Sequence, residues 1–147
     1  NDNLDPDPMK PLLKTEELAQ LLACMATLAA QGVPWWAWLL LLLGPDIGML
    51  GYLIGPRTGA STYNLLHHKG TALLVAAIGL GSAWYTVPLG VSPQALLIAG
   101  VVLYGHSSMD RMLGFGLKHG DGFQHTHLGW IGQAAPGTRH KIDDQGR

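Results

Sequence analysis

Two long stretches of this chain carry no Asp, Glu, Lys or Arg, the first from Leu18 to Pro45 and the second from Gly70 to Met109. Each exceeds the ~20 residues an α-helix needs to cross a bilayer, and so the reading is of a polytopic all-α membrane protein rather than a soluble globule. Composition agrees. Apolar residues make up 48% of the 147 residues and charged residues only 13%, roughly half the charged share of a soluble domain. Several apolar runs follow one another and the N-terminus is acidic, so a single cleaved targeting segment does not account for them. A net charge of −1 without any Lys/Arg-rich run excludes an electrostatic case for nucleic acid. Cys24 is the only cysteine, which excludes an internal disulfide and a thiolate metal site.

Four spans are expected. Residues 1–14 form a flexible lead-in, rich in Asp, Asn and Pro over Asn1 to Pro11. The first helix is predicted from Thr15, as an N-cap with Glu16 and Glu17 in the first turn, to Gln31-Gly32. The second runs from Trp35 to Ile54, opening on interfacial tryptophans, with Pro45 placed to kink it. After the Gly55-Pro56-Arg57-Thr58-Gly59 turn, the third covers Ala60 to Trp84 and the fourth Gln94 to Leu117. The helical domain with its C-terminal interfacial segment is bounded at 15–132, and a polar, mobile tail takes up 133–147. Lys10, Lys14, Arg57, Arg111 and Lys118 all fall on one side of this arrangement, with Lys69 the exception. The positive-inside rule then gives a bacterial inner-membrane protein with both termini cytoplasmic. Pairs such as Gly44/Gly48, Gly51/Gly55 and Gly55/Gly59 mark the second helix as a central packing element.

Ionisable groups inside these helices are costly and need partners. Asp46 lies ten residues before Pro56 and His67 eleven after it, so at ~1.5 Å per residue they reach nearly the same depth. His106 and Asp110 precede the end of the fourth helix by a similar distance and share one face at i, i+4, as Asn64 and His67 do at i, i+3. Asp46, His67, His106 and Asp110 are therefore the expected ligands of a divalent metal, with imidazole and carboxylate donors suiting Zn²⁺ first and Fe²⁺ or Mn²⁺ next. Hydrolysis is the natural reaction of a Zn²⁺ that keeps a position open for water, with Asp46 or Asp110 as the water-activating base. Asn64 and His127 are the candidate supporting residues, orienting substrate or metal. The substrate would be a membrane lipid or another amphiphile. The bland alternative is that these are hydrogen-bonded pairs fastening helices together. A further one is a non-enzymatic subunit of a larger membrane assembly, in which His ligates haem or a chlorophyll-type pigment.

Several of these residues stand in a recognisable pattern: Pro45-Asp46 with Met49-Leu50-Gly51-Tyr52, Gly55-Pro56-Arg57, Tyr63-Asn64 with His67, His106 with Asp110-Arg111-Met112-Leu113-Gly114-Phe115-Gly116-Leu117-Lys118, and Thr126-His127-Leu128-Gly129. Together they resemble the bacterial membrane family called domain of unknown function 4260, over roughly Leu18 to Gly132. The resemblance implies a compact four-helix membrane protein and supplies no mechanism. His68-Lys69 and His125 depart from the family's pattern. The order Asp, His, then His with Asp four residues on is also similar, more distantly, to membrane-bound metal-dependent hydrolases of the YdjM type, without their second histidine after the first.

Overall fold

A computed structural model describes residues 9–86 and 88–132. The expectations for residues 1–8 and for the tail at 133–147 lie outside the described residues. Within them the chain is all-α apart from one small hairpin. It comprises α1 (Met9–Ala30), α2 (Trp35–Leu43), a 3-10 helix (Pro45–Leu53), α3 (Pro56–His67), α4 (Lys69–Trp84), α5 (Pro93–Leu113), β1 (His125–Thr126) and β2 (Gly129–Trp130).

The helix ends follow local chemistry, and where they depart from expectation the cause is visible. Met9 to Lys14 already belongs to α1, and Thr15, instead of capping, turns its hydroxyl back to the Leu12 carbonyl at 2.7 Å. Pro45 has no N–H to continue α2, and the chain passes at Gly44 into the 3-10 helix with a bend of 44°. The expected third helix is two helices. His68 adopts extended backbone (φ −85°, ψ 117°), and its ring occupies the space a Cβ at Gly70 would need, with Cε1 2.6 Å from that position. The last helix stops four residues before the expected Leu117. Gly114 takes a left-handed conformation (φ 94°), and the N–H groups of Gly114 and Phe115 close on the Arg111 and Asp110 carbonyls. At its other end Ser92 caps α5 by accepting from the Ala95 N–H at 3.0 Å.

The central element is α5, not the second helix. It packs against α4, α1, α2 and α3, and Leu28, Leu41 and Val102 form a buried apolar cluster where α1, α2 and α5 meet. The closest backbone approaches are glycine-made. A Cβ on Gly100 would fall 2.6 Å from the Ala76 nitrogen and 2.7 Å from the Ala72 carbonyl oxygen, so only glycine lets α4 and α5 come this close. Gly48 and Gly51 of the 3-10 helix also lie close against α3, where a Cβ would fall 2.9 Å from the Thr62 carbonyl oxygen and 3.1 Å from the Thr58 carbonyl oxygen respectively. Gly55 meets nothing within 4 Å.

No single described helix is long and apolar enough to cross a membrane, whereas the bent pair Trp35–Leu43 and Pro45–Leu53 passes by length and composition together. Large apolar side chains are exposed along its length, among them Leu43, Ile47, Leu53 and Ile54, and along α4 at Leu73, Leu74 and Trp84.

Candidate metal centre

Three elements place four side chains around one point. The 3-10 helix brings Asp46, α3 brings His67, and α5 brings His106 and Asp110 one turn apart on a single face. One donor atom from each lies within 4.8 Å of all the others. His67 Nε2 is 3.4 Å from Asp46 Oδ1 and 3.3 Å from Asp110 Oδ2. His106 Nε2 is 3.4 Å from Asp46 Oδ1, 3.8 Å from Asp110 Oδ1 and 3.1 Å from His67 Nε2.

The outer ring nitrogens fix what the inner ones can do. His67 Nδ1 lies 2.8 Å from the Tyr63 carbonyl oxygen, and His106 Nδ1 lies 2.9 Å from that of Leu41. A carbonyl only accepts, so each Nδ1 carries the hydrogen, and Nε2 is the ring nitrogen whose lone pair a metal would take. Two such nitrogens and two carboxylates converge with nothing of their own to hold them together. A proton on one Nε2 bridges a single contact, whereas a divalent cation reaches all four donors at once. The spacing suits one: donors ~2.0–2.1 Å from Zn²⁺ stand about 3.3–3.4 Å apart in a tetrahedron, inside the range seen here. Carbonyls that lock the ring tautomer from behind are the usual outer partners of metal-binding histidines. The same geometry disfavours a tetrapyrrole, because the Nε2 atoms face each other across 3.1 Å and His106 is fully buried, which leaves no open face for a macrocycle.

Tyr63 completes the support. It lies one turn before His67, stacks on that imidazole with ring centres 3.6 Å apart, and donates its hydroxyl to Asp110 Oδ2 at 2.5 Å. Sequence reading gave Tyr63 no role, although its i, i+4 spacing to His67 puts both on one helix face. Asp46 is the open member: its side chain is 31% exposed, against 13% for Asp110 and less for the histidines.

The two expected supporting residues serve elsewhere. Asn64 accepts from the Lys118 N–H at 2.7 Å and donates to the Lys118 carbonyl at 2.8 Å, pairing with that peptide as a strand would. His127 Nδ1 accepts from the Leu117 N–H at 2.8 Å, while its own N–H meets the Leu117 carbonyl. Both Asn64 groups and the His127 Nδ1 fasten the chain leaving α5 to the bundle and to the β1–β2 hairpin. Asn64→Ala strands both backbone polar groups of Lys118, so a loss of about 1–3 kcal/mol in unfolding free energy is expected, with metal uptake retained; denaturant melts of the two proteins check it.

Folded back in this way, Lys118 is buried beside the four-residue group. Its ammonium sits 4.0 Å from the Phe123 ring centre and 4.9 Å from that of Tyr63. Burial lowers its pKa from the usual lysine range, against the opposing pull of Asp110 and Asp46. On the other side of α5, Lys69 pairs with Glu17 and Gln20, and Arg111 lies 3.8 Å from Glu17, so these basic residues tie α4 and α5 to α1.

A family model described as domain of unknown function (DUF4260) matches residues 10–131. No curated protein and no solved structure matches the chain.

Proposed function

The chain belongs to the domain of unknown function 4260 family, whose description assigns no chemistry, and from the site itself we propose that it is a membrane-embedded, divalent-metal-dependent hydrolase of a lipid or other amphiphile. The observation that carries this reading is the convergence of Asp46, His67, His106 and Asp110 on one point with both imidazole lone pairs turned inward. Zn²⁺ is the first choice for two nitrogen and two oxygen donors, with Fe²⁺ and Mn²⁺ the alternatives.

When bound, such an ion supplies Lewis-acid polarisation and lowers the pKa of water toward neutrality. With His67, His106 and Asp110 holding the ion and its fourth position left for water, Asp46, the most exposed of the four, would face whatever enters and take the proton from that water. Asp110 is held in place by the Tyr63 hydroxyl, which donates to its Oδ2. An apolar groove of about 550 Å³ favours an amphiphilic substrate. It is lined by Leu40, Ile47, Leu66, Ile98 and Val102 and reaches Pro45, so it runs beside the segments that carry Asp46 and His67.

In the membrane, α1, the bent α2 and 3-10 pair, α3 with α4, and α5 act as four passes with both termini cytoplasmic. The exposed apolar side chains along α2 and α4 support this, and so does the ion pair that gives Lys69, the one misplaced basic residue, a buried partner in Glu17. The order of the four ligands supports a distant kinship with the YdjM-type hydrolases.

The test is purification from fractionated cells, elemental analysis, and an assay on ester and phosphoester amphiphiles in mixed micelles. The expected result is a detergent-dependent protein with close to one divalent metal per chain and chelator-sensitive hydrolysis. Recovery in the detergent-free soluble fraction removes the membrane part of the reading. Metal well below one per chain after loading with zinc, manganese and iron removes the hydrolase.

A further inference from the structure

Among the described residues two buried donors have no hydrogen-bond acceptor, the Lys118 ammonium and the Tyr52 hydroxyl. Lys118 is 4% exposed, and an ammonium so placed without an acceptor is expensive unless something anionic completes it. The two donors share a wall. The Lys118 ammonium lies 4.0 Å from the Phe123 ring centre, and the Tyr52 ring meets the same Phe123 edge-on with centres 5.6 Å apart. On the inner side the ammonium faces Tyr63, 4.9 Å from its ring centre, and the Tyr63 hydroxyl is bonded to Asp110.

Charge decides what fits there. Asp46 and Asp110 together balance one divalent ion, and this leaves the Lys118 charge uncompensated in a buried setting. The aromatic rings of Tyr63, Phe115 and Phe123 offset part of the desolvation but bring no negative charge. A water between Lys118 and Tyr52 would satisfy their hydrogen bonds and leave the charge as it is. An oxyanion does both. We infer that Lys118 and Tyr52 form an anion subsite that receives the phosphate of a phosphoester substrate, an inference that rests on the metal reading of the neighbouring group. A phosphomonoester is favoured over a carboxylate because it carries up to two negative charges and three non-bridging oxygens, against one charge and two oxygens, and so can accept from both donors and keep an oxygen for the ion. Phe123, 40% exposed, lies against the ammonium with its ring centre 4.0 Å away.

The experiment uses the zinc-loaded full chain in a neutral detergent and titrates inorganic phosphate by calorimetry, with zinc content and melting temperature measured on the same samples. Lys118→Met and Tyr52→Phe keep the shape and remove the donors. Phosphate binding is expected to weaken about tenfold or more in each, with zinc content unchanged. Melting temperatures should be equal or higher, because each substitution deletes an unsatisfied buried group. Phosphatidic acid doped into the micelles identifies the source: displacement of phosphate supports a lipid headgroup, and phosphate binding without displacement supports a soluble phosphoester. Equal phosphate affinity in both variants, or no phosphate binding by a wild-type protein holding one zinc per chain, overturns the subsite and leaves the metal reading standing. A lower melting temperature for Lys118→Met with unchanged phosphate affinity makes Lys118 structural and overturns it too. A wild-type chain that takes up no zinc brings down the metal reading itself, and the subsite with it.

Discussion

Replacing either His67 or His106 with alanine is expected to strip the purified protein of bound metal, with affinity reduced more than a hundredfold by each change alone. Loss of an outer partner of a metal ligand already costs about 10–100-fold, and removal of a ligand exceeds that. Each Nε2 stands within 3.8 Å of both carboxylates and 3.1 Å from the other nitrogen, so neither imidazole can be replaced by a small shift of its neighbours. The stability readout separates this from ordinary packing damage. In the metal-free protein the substitution frees a backbone carbonyl, of Tyr63 or Leu41, but also relieves four converging lone pairs. The melting temperature of the metal-free form should therefore fall less than that of the metal-loaded form. If both forms fall equally and zinc uptake is unchanged, the histidines are only fastening helices together.

Gly100→Leu is expected to cost more than about 3 kcal/mol and to abolish recovery of the folded protein. The added Cβ alone would meet the Ala76 nitrogen at 2.6 Å and the Ala72 oxygen at 2.7 Å. Both are backbone atoms in α4 and cannot rotate away, so α4 and α5 must part. Because α5 also carries His106 and Asp110, the same change should remove metal binding without touching a ligand. Gly81→Leu is the control. A Cβ at Gly81 meets nothing within 4 Å, and leaving glycine inside α4 gains up to ~1 kcal/mol of helix propensity. Size-exclusion profiles and thermal melts in one detergent should show a large loss at position 100 and none at 81. Similar behaviour of the two variants would contradict the close α4–α5 approach.

The four ligand positions were legible because helices are rulers. Spacing at i, i+4 put His106 and Asp110 on one face, and counting residues from the Pro56 turn put Asp46 level with His67. That count assumed an α-helix on both arms. The arm from Pro45 is a 3-10 helix, which rises ~2.0 Å per residue; the tight contact of Gly48 and Gly51 with α3, rather than equal rise, holds Asp46 beside His67. Contacts between distant segments were less legible. Asn64 and His127 looked like site residues by type and position, but their partners are peptide groups of Leu117 and Lys118, reached only once the chain turns back at Gly114. Lys118 reads from sequence as a basic residue at a helix end, and its burial comes from that same turn. The break at His68 was hidden because no proline marks it; Gly70 was the available signal, in its lack of a side chain where the His68 ring lies. Gly100 stands alone in sequence, with Leu96 and Tyr104 four residues to either side, and the importance of Gly100 and of Gly79 depends on which backbone faces them.

X-ray absorption at the zinc edge of the purified, zinc-loaded protein tests the centre most directly. Two imidazole nitrogens and at least one carboxylate oxygen about 2.0–2.2 Å from one zinc per chain are expected, and no bound zinc in His67→Ala. An all-oxygen shell without imidazole scattering, or zinc that leaves on dialysis, would contradict a metal centre built by Asp46, His67, His106 and Asp110.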